Sequence, residues 1–190
     1  MRFTATTIPG CWLIESDVHL DDRGGFQEWF KSSQVYESTG VNFVPAQANF
    51  SVSKKNVLRG IHFSLNALGQ SKIVFCAAGK ILDYIVDLDT SSATFGHWTN
   101  FELSPEKGSI LLIGPKTGHG FVSLQDNTVV TYLLSSEYSQ KDEFAVSFLD
   151  ESLGINLPGA AHILSEKDRI APGIMELRKL GRLPGLLGGA

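Results

Sequence analysis

Charge is scarce in this sequence: Asp, Glu, Lys and Arg make up 19% of its 190 residues, against about a quarter in an average soluble domain. The balance leans acidic, with 16 basic against 20 acidic residues and a net charge of −4. No overall positive field therefore favours nucleic acid or an anionic membrane, and an anionic ligand would have to be met by local cations. Long apolar runs are missing too. Nothing approaches the roughly 18 residues of a membrane span, and Met1 to Gly10, with one Arg followed by polar residues, does not read as a signal peptide. These absences predict a cytoplasmic protein with no membrane and no nucleic-acid partner. Cysteine occurs only at Cys11 and Cys76, 65 positions apart, which excludes a stapled framework and a paired-cysteine metal site. Both read as buried thiols without an assigned role.

Motifs of several chemistries are absent as well. There is no H-x-H or H-E-x-x-H spacing, and the positions two removed from His62 are Gly60 and Ser64, so no metal is expected. Nucleophilic catalysis is poorly supported: no G-x-S-x-G elbow occurs, and neither cysteine has a cationic sequence neighbour. No fixed-period repeat or linker-like stretch interrupts the chain, whose length suits one domain over residues 1–190.

What the chain does contain is apolar residues, 43% of the total, and 19 glycines, a compact and turn-rich composition. Period-two alternation marks half-buried strands at Trp12-Leu-Ile-Glu-Ser-Asp-Val-His, Ala46-Gln-Ala-Asn-Phe-Ser-Val, Val57-Leu-Arg-Gly-Ile-His-Phe and Trp98-Thr-Asn-Phe-Glu-Leu. Nearly continuous apolar runs, Ile73 to Ala78, Ile81 to Val86 (interrupted by Asp83), Ile110 to Ile113 and Thr128 to Leu134, read as central strands buried on both faces. About ten strands at this close spacing predict an all-β sandwich, jelly roll or barrel. Helices are expected only at Ser32 to Ser38 and at Gly173 to Leu180, after Pro172 and before Gly181. The tail from Pro184 reads as loosely ordered.

Five histidines are the first chemical candidates, because His titrates nearest to neutral pH. Arg59 and His62 would face opposite sides of an ideal strand, but Gly60 between them can host a bulge that lets both reach one cavity. His119 lies between Gly118 and Gly120, which permit close approach of backbone to a ligand. Lys72, beside Ile73, Val74 and Phe75, is either an edge-strand charge or a buried cavity cation. Ser165-Glu-Lys-Asp-Arg offers carboxylates that could orient a histidine base, and Tyr132 and Tyr138 lie on or near a late strand. Together these residue types suit proton chemistry: a neutral base, its orienting carboxylate, and a fixed cation for developing negative charge.

In order and spacing, these residues resemble the family of dTDP-4-dehydrorhamnose 3,5-epimerases and related nucleotide-sugar epimerases, from Trp12 to about Pro172. The resemblance rests on Asp22-Arg-Gly-Gly-Phe-Gln-Glu, Gln47-Ala-Asn-Phe-Ser, Val57-Leu-Arg-Gly-Ile-His-Phe, the Lys72 strand, Val86-Asp-Leu before Ser92-Ala-Thr-Phe-Gly, His119-Gly-Phe, Tyr132 with Tyr138, and Ile163-Leu-Ser-Glu-Lys-Asp. It implies a cupin-type double-stranded β-helix, or jelly roll, working as a homodimer without cofactor or metal. The implied reaction removes a proton next to the 4-keto group of a dTDP-4-keto-6-deoxyhexose and returns one to the opposite face, inverting C3, C5 or both. By this resemblance His62 is the general base, Asp168 orients it, Tyr132 is the acid and Lys72 stabilises the enolate oxygen. Arg23, Arg59 and Lys167 match positions around the diphosphate, Gln47, Asn49, Glu28 and Glu143 match polar contacts, and His119 matches a residue near the sugar. Tyr138 and Phe26 match an aromatic clamp for the thymine ring, with the Phe26 and Glu28 segment reaching into the partner's site.

Departures from the family pattern are Ser64 in place of Gln, Ile113-Gly-Pro-Lys-Thr-Gly-His in place of Ile-Pro-x-Gly-x-Ala-His, and Phe148 and Leu157 in place of tryptophans. None removes a proposed catalytic group. A 3,4-ketoisomerase on the same barrel and a non-catalytic sugar-nucleotide-binding cupin are the competing readings.

Overall fold

The computed structural model describes residues 1–67, 69–159 and 161–185. Within them thirteen strands form two large antiparallel sheets and a hairpin. The six-stranded sheet contains β1 (Arg2–Ala5), β2 (Trp12–Glu15), β5 (Gln47–Ser53), β7 (Lys72–Ala78), β10 (Ser109–Ile113) and β12 (Thr128–Leu134), in the order β1-β2-β10-β7-β12-β5. The five-stranded sheet contains β6 (Leu58–Ser64), β8 (Ile81–Asp87), β9 (Trp98–Leu103), β11 (Thr117–Ser123) and β13 (Glu143–Ala145), ordered β13-β6-β11-β8-β9. The hairpin is β3 (Val18–Asp21) with β4 (Gly24–Gln27). This is the expected jelly roll, with few and short helices.

Alternation along the strands divides the apolar residues among three layers. Val74, Cys76, Leu111, Ile113 and Val130 of the first sheet meet Ile81, Ile85, Leu103 and Phe121 of the second, forming the core between the sheets. Helix α1 (Ser32–Thr39) and its flanks cover the outside of the six-stranded sheet, where Val35 and Phe43 pack with Ile14, Ile73, Ile110 and Leu112. The chain after β13 straps the outside of the five-stranded sheet, laying Val146, Phe148, Leu153, Ile174 and Leu177 on Leu58, Ile61, Phe63, Tyr84 and Val122. That strap carries α2 (Glu166–Arg169) and α3 (Ile174–Lys179). Each large aliphatic side chain buried in these layers stabilises the fold by roughly 1.5–3 kcal/mol.

Several local expectations change. The single strand read from Trp12 to His19 is two strands, because Ser16 leaves the sheet: its N–H donates to the Gly108 carbonyl and its hydroxyl to the Glu28 carbonyl. Thr117–Ser123, read only as a glycine-flanked approach to a ligand, is a wholly buried central strand. Its glycines are demanded by packing, since a Cβ at Gly118 would meet Ile61 at 2.6 Å and one at Gly120 would meet the Phe148 ring at 2.5 Å. Pro184, read as the start of a loose tail, is held: Leu183 before it is buried, and the Pro184 carbonyl accepts from both the N–H and hydroxyl of Thr90. The rest of that tail, residues 186–190, lies outside the described residues. No helix among the described residues is long and apolar enough to cross a membrane.

Candidate active site

The bulge at Gly60 sets up the site. His119 pairs with His62 but Phe121 pairs with Arg59, so one residue of β11, Gly120, stands opposite two of β6, Gly60 and Ile61. Gly60 adopts φ +106°, and a Cβ there would stand 2.6 Å from Gly120 Cα and from the His119 carbonyl oxygen; only glycine fits. Arg59 and His62 consequently both line one cavity of about 540 Å³ between the sheets.

Its two walls bring different chemistry. From the five-stranded sheet come Arg59, His62, His119 and Glu143; from the six-stranded sheet come Asn49, Lys72 and Tyr132; the strap adds Lys167 and Asp168, and Tyr138 stands beside them. Ten of the fourteen residues singled out from the sequence thus share one cavity. Gln47 is just outside it, donating to Asn49 Oδ1 at 2.9 Å and accepting the Tyr138 N–H at 2.8 Å. Arg23, Phe26 and Glu28 are not brought to it. Arg23 is paired with Asp21 and Glu28 with Lys31, and Phe26 is exposed on the β3–β4 hairpin.

His62 Nε2 lies 2.6 Å from Asp168 Oδ1. With a carboxylate as its partner that nitrogen carries the proton, which leaves the Nδ1 lone pair free. Burial pushes the Asp168 carboxyl up, but the hydrogen bond and charge of His62, with the nearby polar groups of Ser165 and Gly60, outweigh it and hold the group below the usual carboxylate range. Lys72 is buried, not an edge charge, with Nζ 3.4 Å from the His62 carbonyl oxygen. Burial pushes its ammonium down, opposed by the negative charges of Glu143 and Asp83. Tyr132 faces Asn49 across β12 and β5; burial raises its phenol, with the Asn49 hydrogen bond and the Arg59 charge opposing. Arg59 is held by its Nε donating to Ser53 Oγ at 3.2 Å.

The sequence reading passed over Asp83. This carboxylate has no solvent exposure and lies 3.0 Å (Oδ2) from His119 Nε2; burial pushes it up, while His119 and Lys72 pull it down. Its signal was its place as the lone charge inside an apolar strand. Cys11 and Cys76 are both buried as expected, and burial pushes the Cys76 thiol up to about 12. Among the described residues no group of three or more His, Cys, Asp or Glu is placed to hold a metal ion. A base on one wall, a phenol on the other and a buried ammonium can remove a proton beside a carbonyl and return one from the far side.

Comparison with known proteins agrees with that chemistry. A family profile described as dTDP-4-dehydrorhamnose 3,5-epimerase matches residues 5–176. A dTDP-4-dehydrorhamnose 3,5-epimerase of Streptomyces griseus is 41% identical over 179 residues, covering 94% of this chain and 89% of that protein. The solved rmlC epimerase of Mycobacterium tuberculosis superposes with a TM-score of 0.94 at 36% identity, over 97% of this chain and 94% of that one. ChmJ of Streptomyces bikiniensis, a 3'-monoepimerase solved in complex with dTDP-quinovose, gives 0.91 at 36% identity, over 94% and 91% of the two chains.

Proposed function

The chain belongs to the dTDP-4-dehydrorhamnose 3,5-epimerase family, and we propose how its own residues divide the work of an epimerase acting on dTDP-4-keto-6-deoxyhexoses. His62 Nδ1 takes the proton from the carbon beside the 4-keto group, and Asp168 stabilises the imidazolium that results. The electron pair left on carbon moves into the carbonyl, and the buried Lys72 ammonium meets the charge that develops on its oxygen. Tyr132 then gives its phenolic proton to the same carbon from the other side and recovers one from solvent, as His62 releases the one it took. Two groups are needed because a single group working on one face only regenerates substrate.

The observation that carries this reading is the placement of His62 and Tyr132 on facing sheets around one cavity that also holds Lys72. Arg59 and Lys167 at the same cavity provide the local cations that an acidic chain needs for a diphosphate. Arg23, Phe26 and Glu28 serve the site of a second copy: Leu20 and Phe26 of the hairpin and Phe50 and Val52 of edge strand β5 are exposed apolar side chains suited to a homodimer contact. The family contains both 3- and 3,5-epimerases, so the inverted carbons are read from the product.

The test is deuterium wash-in from D₂O with dTDP-4-keto-6-deoxyglucose, with mass and NMR analysis of the product. Two deuterons with inverted centres are expected of a 3,5-epimerase and one of a monoepimerase. The His62→Ala variant is expected to lose exchange. Normal exchange in that variant, or a product whose carbonyl has moved, would overturn the scheme.

A further inference from the structure

We infer that Gln47 is a positioning residue for the nucleotide sugar and not one of its contacts: its carboxamide turns the Asn49 amide so that the Asn49 NH2 group, a donor, is the end left for the ligand. The inference rests on the reading of this cavity as a nucleotide-sugar site.

The resemblance places Gln47 among the polar contacts, but the fold leaves it outside the cavity that Asn49 lines. Both ends of its carboxamide are occupied. Oε1 accepts the Tyr138 N–H at 2.8 Å, and Nε2 donates to Asn49 Oδ1 at 2.9 Å. A backbone N–H can only donate, so the atom facing Tyr138 must be the amide oxygen, and the Gln47 NH2 group must then face Asn49. Asn49 in turn can meet that donor only with its own oxygen. With Oδ1 occupied, Nδ2 and its two protons remain for the cavity. A direction set at the Tyr138 backbone therefore passes through two side-chain amides to the wall of the site.

The need for such a relay lies in the place of β5. Gln47 and Asn49 are two residues apart on one face of this strand, which is the edge of its sheet. Its only neighbour in the sheet is β12, where Leu134 and Tyr132 stand opposite Gln47 and Asn49. The two ends of an asparagine amide are alike in shape and opposite in hydrogen bonding. Without a partner that tells them apart, Asn49 would show its carbonyl oxygen to a ligand as readily as its NH2 group. A diphosphate sugar is rich in acceptor oxygens, which the NH2 group binds and the carbonyl repels. The far end of the relay is held independently of Gln47: the Ser71 N–H donates to Ser135 Oγ at 2.9 Å, the Ser135 N–H to the Ser71 carbonyl at 3.0 Å, and Gln70 Nε2 to Ser136 Oγ at 3.2 Å. The residues just before β7 thus fix the turn that leads to Tyr138, and Gln47 takes its orientation from that turn.

Two substitutions separate this role from a direct contact, with binding of dTDP-6-deoxyglucose, which has no 4-keto group to react, read by calorimetry. Gln47→Met keeps the length of the side chain and loses both hydrogen bonds. It is expected to melt close to wild type and to raise Kd about fivefold, the size of one hydrogen bond, with KM for the keto substrate rising in parallel and kcat little changed. Gln47→Glu still accepts the Tyr138 N–H but offers Asn49 only an acceptor, which turns the Asn49 amide around. Its Kd should rise further, by about tenfold, although it keeps more of the native contacts. In an Asn49→Ala background no amide is left to turn, so Gln47→Met should cost nothing more and Gln47→Glu should lose most of its penalty. A wild-type Kd in either single variant would overturn the inference. So would a full additional loss from Gln47→Met in the Asn49→Ala background, which would make Gln47 a ligand contact. Calorimetry needs no turnover, so absence of deuterium exchange in the wild-type enzyme would count against the proposed reaction and not against this inference, and the two failures are distinguishable.

Discussion

The molecule holds two His–Asp pairs side by side, and they are built for different ends. His62 and His119 face each other directly across β6 and β11, and each has its Nε2 against a carboxylate, Asp168 or Asp83. The His62 side chain keeps 30% of its exposure and its partner 4%; for His119 and Asp83 the values are 10% and 0%. Asp168, tied to His62, stays below the usual carboxylate range, whereas burial lifts Asp83 above it. The same two side chains therefore give a partly exposed histidine on a nearly buried carboxylate in one place, and a wholly buried pair in the other. What separates them is the depth of burial and the reach of the ring into open cavity, neither of which depends on the identity of the pair.

The histidines should differ most. His62→Ala is expected to reduce wash-in and turnover by about 10³-fold, within the usual range for a positioned base, while His119→Ala should cost about tenfold or less and appear mainly in KM. Equal losses would erase the distinction. Next come the carboxylates. Asp168→Asn should lower kcat by about 10²-fold, since the ring loses the acceptor that fixes its tautomer. Asp83→Asn should act on Lys72: its ammonium, already pushed down by burial, loses a neighbouring negative charge and falls further. The alkaline limb of kcat/KM should therefore move to lower pH in that variant, which a pH–rate profile would reveal.

The smallest expected effects are on stability, and they have opposite signs. The folded Asp168 carboxyl lies below its unfolded value, so its contribution is present above about pH 4 and lost as pH falls through the folded value. For Asp83, raised in the fold, stability relative to Asp83→Asn should decline as pH rises above about 4 toward the folded value. Melting temperatures of wild type, Asp168→Asn and Asp83→Asn across acidic pH would give the two slopes.

Strands with a clear side-chain pattern were legible before any coordinates: the apolar run Thr128 to Leu134 is β12 with the same ends. The short helix read after Pro172 is α3. Thr117–Ser123 escaped because its glycines carry no strand signal, their purpose being the close approach of Ile61 and Phe148 from elsewhere in the chain. At the site, the bulge at Gly60 was readable because Arg59 and His62 needed it to share a face. Asp83 was harder. A charged residue in an apolar run is a common pattern, and its meaning depends on which side chains the fold delivers to it, here His119 and Lys72. Arg23, Phe26 and Glu28 do not line the cavity of a single copy, so the roles proposed for them rest on resemblance alone.

The strap on the five-stranded sheet has a consequence for the order in which the enzyme becomes competent. Asp168 lies 106 residues after His62, and between them come β7 to β13, including both Lys72 and Tyr132. As a chain leaves the ribosome, His62, Lys72 and Tyr132 all emerge before Asp168, the partner of the His62 ring. A nascent chain cut short before Ser165 would thus retain both sheet walls with His62, Lys72, Arg59 and Tyr132, but neither the Lys167 cation nor the carboxylate that holds His62.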